Sequence, residues 1–403
     1  MYVFYFFALV AIFLGVTSLR SGLRFAAYVR SHTARPLAAF TPFASVIAPC
    51  RGLDQGLREN IAALFEQVYP AYEIIFVVDK EGDASLSVID EVKRFYHKTD
   101  KITARILIAG EARNAGQKVY NLQAAVREVS PLSQILVFVD TDALTPANWL
   151  RSLVAPLHDT KLGATTGYRW FIPVKGGFAS QLRSVWNAAI TSSLSREQTK
   201  NFCWGGSTAI IRKTFEDLQI MECWRGTVSD DFTITRVLHK AGLPIHFVPA
   251  CLVASLDDCT FHELLEFTTR QLKITRVYAP HLWTPVLLGS LLFSLVFFGG
   301  ILLVTVRAVA GLSYLVPLLL IFTIFLLGAA KVLVRWRAIA IPLKRHREEM
   351  RGGLLAQLVL WPLASALYLY NALAAMFSRR IQWRGITYEL KSPTEAVIIT
   401  RGS

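Results

Sequence analysis

Long apolar runs occupy both ends of the chain. Residues 2–19 carry no charge and are just long enough to span a bilayer, and the following stretch has four arginines but no acid. This charge order is the reverse of that in a cleavable signal peptide. We therefore predict an N-terminal transmembrane anchor over residues 1–20, with its start outside and the following chain in the cytoplasm.

The C-terminal third predicts a membrane region over residues 281–377. Its apolar runs are residues 282–306, 308–330 and 354–377. The first two read as spans joined by a short turn. The third contains Pro362, and a full crossing would put the basic tail, residues 378–403, outside against the positive-inside rule. We expect a broken, re-entrant or interfacial arrangement with a cytoplasmic tail; a spanning helix is the alternative.

Between these ends, residues 45–280 have the pattern of a globular α/β domain. Short, nearly continuous apolar runs alternate there with helical patterns, and they lie at residues 45–48, 74–78, 104–108 and 135–139. Such runs are typical of strands buried on both faces of a parallel sheet. The pattern predicts a doubly wound α/β sheet, whose ligands bind at the carboxyl ends of the strands.

Composition and charge support an integral membrane protein with a cytoplasmic domain. The chain is 53% hydrophobic and 18% charged, which excludes intrinsic disorder and argues against a purely soluble enzyme. Most of the net charge of +14 lies beside the apolar segments, so it indicates anionic lipid and not nucleic acid as the partner. Five cysteines without a C-x-x-C pair fit neither a disulfide framework nor a zinc site.

Acidic residues follow two of the predicted strands. Asp79 follows residues 74–78, and Asp140 and Asp142 follow residues 135–139. An aspartate at a strand end can be only a turn former or a helix cap. Two carboxylates one residue apart can also share a divalent cation with diphosphate oxygens. There is neither a P-loop nor a dinucleotide-binding motif.

A second acidic pair, Asp230 and Asp231, opens a helical pattern. One interpretation is that these carboxylates satisfy helix amides and the helix dipole. The other is that one of them is a general base directed at an acceptor hydroxyl.

The order of these elements resembles that of the membrane-bound, inverting family 2 type glycosyltransferases, and within them the ceramide glucosyltransferase-like members of the family 21 type. The likeness covers about residues 46–280. The matching motifs, in chain order, are Ile-Ala-Pro-Cys-Arg-Gly at 47–52, Val-Asp at 78–79, Gly-Gln-Lys-Val-Tyr-Asn-Leu at 116–122, Val-Asp-Thr-Asp at 139–142, Trp-Gly-Gly-Ser at 204–207 and Ser-Asp-Asp-Phe at 229–232.

The resemblance implies a GT-A catalytic domain, which is Rossmann-like with a doubly wound mixed sheet, between N- and C-terminal transmembrane helices. It implies that Asp79 contacts the nucleotide and that Lys118 lies near the donor, although Lys118 could be a solvated charge at a helix start. It further implies that Asp140 and Asp142 hold the sugar nucleotide and its divalent cation, Mg²⁺ or Mn²⁺, and that Asp231 is the catalytic base.

The resemblance also assigns an acceptor side. It comprises Trp204, Gly205, Gly206 and Asp230. The glycines would permit close backbone approach, and Trp204 would offer a flat face to a sugar ring or lipid edge. A tight turn with an aromatic plug is the alternative interpretation.

The last family motif departs from its usual form. Related enzymes carry Q-x-x-R-W or R-x-x-R-W near the membrane, whereas this chain has Arg270 and Lys273 followed by Ile274. We expect Arg270 and Lys273 to bind the donor diphosphate, with Arg276 as an alternative in a shifted register. Lysine lacks the bidentate fork of arginine, and Ile274 cannot stack on a sugar. A basic interfacial helix would show the same pattern.

The resemblance predicts transfer of a sugar from a UDP-sugar to a lipid hydroxyl with inversion. The sugar could be glucose or an N-acetylhexosamine, and the lipid a ceramide, a diacylglycerol, a hopanoid or another sterol-like or polyprenyl lipid. Alternatives are a processive or oligosaccharide-extending synthase and a non-catalytic membrane protein that binds a nucleotide sugar. The basic tail resembles tails that dock against the catalytic domain of related proteins.

Overall fold

A computed structural model describes residues 1–96 and 101–402, and these divide into two compact units. The sheet unit comprises Ser31–Phe171, Leu194–Asp257 and Arg379–Ser403. The helical unit comprises Met1–Arg30, Ile172–Ser193 and Asp258–Ser378. The chain therefore leaves and re-enters each unit more than once.

The sheet unit is built on a mixed seven-stranded sheet. Its strands are β1 (Ala44–Pro49), β2 (Tyr72–Val78), β3 (Ile102–Ile108), β4 (Ile135–Val139), β5 (Ala164–Ile172), β6 (Ser207–Ile211) and β7 (Ile245–Leu256). They lie in the order β3-β2-β1-β4-β6-β5-β7. The first four strands pair in parallel, whereas β6 is antiparallel to both β4 and β5. With the apolar helices at both ends, this sheet confirms the predicted fold class.

The burial of strands β1, β2 and β4 explains why the sequence pattern predicted them. Every residue of β2 and β4 is buried, which accounts for their continuous apolar sequences. β1 lies between them, in register Val46 to Ile74 and Val46 to Val137. The carboxyl ends of these three strands therefore lie along one edge of the sheet.

The helices within the described residues are α1 (Tyr2–Thr33), α2 (Leu57–Phe65), α3 (Ser85–Tyr96), α4 (Gln117–Arg127), α5 (Trp149–Val154), α6 (Phe178–Thr191), α7 (Arg212–Asp217), α8 (Ile220–Cys223), α9 (Asp230–Lys240), α10 (Phe261–Tyr278), α11 (Pro280–Val309), α12 (Leu315–Ile339), α13 (Arg347–Met350) and α14 (Gly353–Phe377). Helix α4 packs on one face of the sheet, where Val119 and Leu122 join a core with Phe138 and Trp224.

Four of these helices, α1, α11, α12 and α14, are long and apolar enough to cross a membrane. The predicted break at Pro362 is wrong, because α14 runs through this proline as one helix of 25 residues. Nine residues of α14 precede Pro362, and the helix packs against α6, α10, α11 and α12, which support it despite the missing backbone donor. Whether α14 spans the bilayer stays a prediction.

Two segments that we predicted to belong to the globular domain lie in the helical unit instead. Helices α6 and α10 pack with α14 around a core that includes Trp186, Leu264 and Leu367. The Trp186 ring stacks on Tyr368 at 4.7 Å between centroids. These apolar faces explain why the unit boundary falls before α6 and again before α10, instead of near residue 280.

The C-terminal residues form a second, three-stranded antiparallel sheet. Its strands are β8 (Arg380–Trp383), β9 (Ile386–Ser392) and β10 (Glu395–Arg401), in the order β10-β9-β8. The Tyr388 hydroxyl accepts a hydrogen bond from the backbone N–H of Gln117 at 3.2 Å. Arg401 donates to the side chain of Gln117 at 3.3 Å. The predicted docking of the tail on the globular domain is therefore confirmed.

Candidate active site

The two carboxylates after β4 are bridged by one guanidinium group. Arg169 Nη2 lies 2.9 Å from Asp140 Oδ2, and Arg169 Nη1 lies 2.8 Å from Asp142 Oδ2. On the other oxygen of Asp140, Lys118 Nζ lies at 2.7 Å. Both oxygens of Asp140 thus face cations, and the Asp-Thr-Asp sequence forms a site that already holds positive charge.

Arg169 was not singled out from the sequence. It lies within β5, and its side chain is only 10% exposed. Its guanidinium lies 4.8 Å from the ring centroid of Trp204 and 5.4 Å from that of Phe171. Burial alone would lower the pKa of Arg169, but Asp142 and Asp140 raise it above its ordinary value. The only signal in the sequence was a cation inside an otherwise uncharged strand.

Trp204 differs from its expected arrangement. The residue is 8% exposed and packs against Tyr168, with ring centroids 5.5 Å apart, as well as against Arg169. The Arg169 guanidinium lies over the ring in this arrangement, and the acceptor-side role of Trp204 stays a prediction. The alternative interpretation, an aromatic plug beside a turn, describes what the structure shows.

The Asp-Thr-Asp carboxylates have the chemistry of a cation site shared with a substrate. Asp142 Oδ1 is buried and has no hydrogen-bond partner among the described residues. Burial would raise the pKa of Asp142, but Arg169 lowers it, so the group is ionised near neutral pH. Within residues 1–96 and 101–402, no cluster of three metal-ligating His, Cys, Asp or Glu side chains occurs. The residues therefore fit a metal whose remaining ligands are diphosphate oxygens, with Arg169 in competition for the same carboxylates.

Lys118 lies in the first turn of α4 and joins the two acidic pairs. Besides Asp140, it contacts Asp230, with Nζ 3.4 Å from Oδ1. Burial would lower the pKa of Lys118, but these carboxylates raise it above the ordinary lysine value. Lys118 is therefore a buried, charged group, and a solvated charge at a helix start is excluded.

The two acids at the start of α9 occupy different environments. Ser229 caps the helix by accepting from the Phe232 N–H at 3.2 Å. Asp230 is 2% exposed, and burial raises its pKa to about 7 against the effect of Lys118. Asp231 is partly exposed and accepts from the Phe232 N–H at 2.8 Å. Asp231 is the member of the pair that solvent can reach.

Gly205 and Gly206, which follow Trp204, lie where there is no room for a side chain. A Cβ on Gly205 would lie 2.3 Å from Asp230 Oδ2 and 2.8 Å from Lys118 Nζ. A Cβ on Gly206 would lie 2.2 Å from the Trp204 ring and 2.7 Å from Asp140 Oδ2. Only glycine lets this loop pass so close to the charged side chains.

Asp79 lies at the carboxyl end of β2 and is 3% exposed. Its Oδ2 lies 3.2 Å from Arg51 Nη1, and its Oδ1 has no hydrogen-bond partner among the described residues. A further arginine, Arg384 in the tail, was not predicted to reach this edge. It lies 2.6 Å from Asp54 Oδ1, so the tail contributes charge to the same side of the sheet unit.

Comparison with known proteins gives the family. The chain matches glycosyl transferase family 21 over residues 3–396. It belongs to this family. The resemblance recognised from the sequence motifs is thereby confirmed, and the match includes the apolar segments as well as the sheet unit.

Individual relatives of this family 21 chain are distant. An N-acetylglucosaminyltransferase of Bradyrhizobium diazoefficiens is 25% identical over 254 residues, which cover 58% of this chain and 48% of that protein. The chain thus spans about half the length of this relative. Ceramide glucosyltransferase 3 of Caenorhabditis elegans is 20% identical over 358 residues, covering 87% of this chain and 73% of that protein.

Among solved structures, the mannosyltransferase PcManGT from Pyrobaculum calidifontis, in complex with GDP-Man and Mn²⁺, is similar with a TM-score of 0.48 and 16% identity. The similarity covers 92% of this chain and 99% of that one.

The remaining predicted residues of this family 21 chain lie on α10, in the helical unit. Arg270 Nη1 lies 3.4 Å from Glu266 Oε1, and its guanidinium lies 5.6 Å from the Phe267 ring centroid. Burial lowers the pKa of Lys273. Their roles toward a diphosphate stay predictions. Arg276, the alternative, donates to the carbonyls of Ala375 and Met376 at 2.5 and 2.8 Å, where it caps the end of α14.

Proposed function

We propose that this family 21 protein transfers a sugar from a UDP-sugar to the hydroxyl of a membrane lipid with inversion at the anomeric carbon. The observation that carries the proposal is the grouping of Lys118, Asp140, Asp142 and a solvent-accessible Asp231 at one edge of the sheet. Family membership and the apolar helices support it further. The named relatives favour a glucosyl or N-acetylglucosaminyl group.

We assign the general base to Asp231. It removes the proton of the acceptor hydroxyl while that oxygen bonds to the anomeric carbon. The bond from this carbon to the diphosphate oxygen breaks, and UDP leaves with its electron pair. Asp230 is too buried to reach an acceptor and instead positions Lys118. Because Asp231 accepts from the Phe232 N–H, its carboxylate is held in one orientation before the acceptor arrives.

The leaving group requires positive charge. Lys118 and Arg169 supply two buried cations beside Asp140, where positive charge can stabilise a departing diphosphate. A divalent cation, Mg²⁺ or Mn²⁺, held by Asp140 and Asp142 together with the diphosphate oxygens would neutralise the charge that develops on the leaving group. Asp79 is assigned to the nucleotide, since its Oδ1 lacks a partner among the described residues.

The catalytic domain is proposed to face the cytoplasm, because basic residues lie beside the apolar segments that precede and follow it in the chain. The acceptor is proposed to be a lipid because two long apolar helices, α11 and α12, follow the sheet unit in sequence. Arg270 and Lys273 are proposed to approach the donor diphosphate from α10.

The test is transfer of radiolabelled sugar from a panel of UDP-sugars into organic-extractable lipid by membranes that contain the protein. Asp231→Asn removes the base without changing its size, and Asp217→Asn, an exposed acid paired with Lys213 on α7, is the matched control. We expect labelled lipid with the wild type and with Asp217→Asn, and a loss of about 10²–10⁴-fold with Asp231→Asn. EDTA is expected to abolish labelling.

Two outcomes contradict the proposal. Label that enters only water-soluble or precipitable polymer would favour a polysaccharide synthase. If no UDP-sugar gives label that depends on Asp231, the protein is not this transferase, and equilibrium binding of UDP would then identify a non-catalytic nucleotide-sugar-binding protein.

A further inference from the structure

The helical unit contains a cavity with two cations and no acid in its lining. The cavity has a volume of about 260 Å³ and is lined by residues of α1, α6, α11, α12 and α14. Most of these residues are apolar or small, and the charged ones are Lys331 and Arg335. A cavity of this kind is suited to a ligand with an anionic group and an apolar body.

The two cations lack a charged partner within the chain. Neither Lys331 nor Arg335 lies within 4.0 Å of a carboxylate among the described residues. Lys331 Nζ donates to the Ser18 hydroxyl at 2.6 Å. Arg335 Nη2 lies 3.4 Å from Gln357 Oε1, which is a long contact to a neutral acceptor. These neutral contacts leave both positive charges uncompensated.

The cost of this arrangement is large without a ligand. Arg335 is 5% exposed, and its Nε has no hydrogen-bond partner among the described residues. Lys331 lies one turn before it on the same face of α12, where like charges repel. Trp361 also lines the cavity, and its indole N–H has no acceptor in the described part of the chain. Buried donors of this kind require an acceptor, and an anion satisfies both the hydrogen bonds and the charge.

The position along α12 identifies the source of the anion. Lys331 and Arg335 lie in the last third of this apolar helix, and the basic segment of residues 344–351 follows it. On the cytoplasmic side of a membrane, such a position lies at the depth of lipid phosphates, and basic pockets between membrane helices bind lipid headgroups there. Leu292, Phe293 and Leu327 give the same cavity an apolar surface for acyl chains.

We propose that this cavity is a binding site for the phosphate of an anionic membrane phospholipid, held by Lys331 and Arg335. The inference does not depend on glycosyl transfer, since every residue of the site lies in the helical unit. The bound lipid compensates the two buried charges and joins α1, α12 and α14 around one headgroup.

The test measures binding of radiolabelled phosphatidylglycerol to the delipidated full-length protein in neutral detergent. Lys331→Met and Arg335→Gln each remove one charge, and Arg337→Gln is the matched control because this arginine is exposed on the same helix and does not line the cavity. Loss of one charge-assisted hydrogen bond predicts about tenfold weaker binding for each cavity variant. The control should bind as the wild type does. Thermal unfolding of each variant shows whether it is folded. If Arg335→Gln does not fold, Lys331→Met still tests the proposal, because methionine retains a long side chain at that position.

Three results would overturn the inference. Equal weakening by Arg337→Gln would mean that binding reflects only the general basic surface. Equal binding of phosphatidylcholine would mean that negative charge is not recognised. Inorganic phosphate that competes at the same concentration as phosphatidylglycerol would show a free-phosphate site, because the acyl chains would then contribute nothing.

Discussion

Replacing Arg169 by methionine tests whether this arginine occupies the cation position of the Asp-Thr-Asp site. Methionine keeps an unbranched, apolar side chain in place of the arginine stem but removes the guanidinium that bridges Asp140 and Asp142. We expect two linked effects. The folded protein loses stability in the presence of EDTA, and it gains the ability to bind Mn²⁺ without a nucleotide.

The magnitude follows from the contacts. Removing one partner of a fully buried ion pair costs about 3–5 kcal/mol. Here Lys118 still neutralises Asp140 at 2.7 Å, and the side chain of Asp142 is 33% exposed, so solvent screens part of the loss. We therefore expect about 2 kcal/mol, which corresponds to a melting temperature about 4–8 °C lower for a unit of this size.

The assay is thermal unfolding of the full-length protein in neutral detergent, with EDTA or MnCl₂, combined with electron paramagnetic resonance of free Mn²⁺. Arg225→Met is the matched control, since Arg225 is 73% exposed and pairs with Glu222 on the surface of the same unit. Its effect should be below about 0.5 kcal/mol. Mn²⁺ should raise the melting temperature of Arg169→Met by mass action but leave the wild type unchanged.

The reasoning is refuted if wild type and Arg169→Met bind Mn²⁺ equally in the absence of nucleotide. It is also refuted if Arg169→Met is as stable in EDTA as the surface control. Either result would mean that the guanidinium does not compete for these carboxylates, whatever the catalytic activity of the variant.

Three further predictions concern the same unit. Gly205→Ala should abolish sugar transfer, because its Cβ would lie 2.3 Å from an oxygen of Asp230, whereas Gly82→Ala, with open space around it, should remain active. Since the pKa of Asp230 is raised to about 7 from 3.8, its stabilising effect is present below about pH 4 and is lost as the pH rises through 7; urea unfolding of Asp230→Asn should show a shallower pH dependence. Arg384→Ala removes the contact with Asp54 and should speed chymotrypsin cleavage of the tail.

Much of the sheet edge could be predicted from the sequence. β2 and β4 are buried on both faces, so their apolar runs end where the polar edge begins, and Asp79 and Asp140 follow directly. The local sequence pattern alone is therefore enough to predict that Asp79 and Asp140 lie at the edge of the sheet. The environment of Lys118 was harder to predict. The sequence around a lysine at a helix start does not distinguish a buried ion pair from a solvated charge.

The bridging arginine could not be predicted, because its role depends on strand order. Arg169 reaches Asp140 only because the antiparallel strand β6 lies between β4 and β5. Nothing local in β5 indicates that neighbour. Arg384 is a similar case, since it meets Asp54 across more than three hundred residues of chain. The uninterrupted course of α14 through Pro362 likewise depends on neighbouring helices and not on its own sequence.

The position of the tail in the sheet unit limits how many of the apolar helices can cross the membrane. The chain leaves the sheet unit at Asp257 and re-enters it at Arg379, and we expect one compact unit to lie on one side of the membrane. An even number of crossings must separate them, yet three helices in this interval are long enough to cross. Helix α14 is flanked at both ends by basic residues, which favours α14 as the one that does not cross the membrane.

This argument can be tested with a membrane-impermeant maleimide applied to sealed vesicles of known orientation. Thr394→Cys places a thiol in the exposed turn between β9 and β10, and Ser313→Cys places one in the exposed turn between α11 and α12. We expect the two thiols to react from opposite sides of the membrane. Reaction from the same side would mean that α14 crosses, and the tail could then not belong to the sheet unit, because no crossing would remain to bring Arg384 back to Asp54.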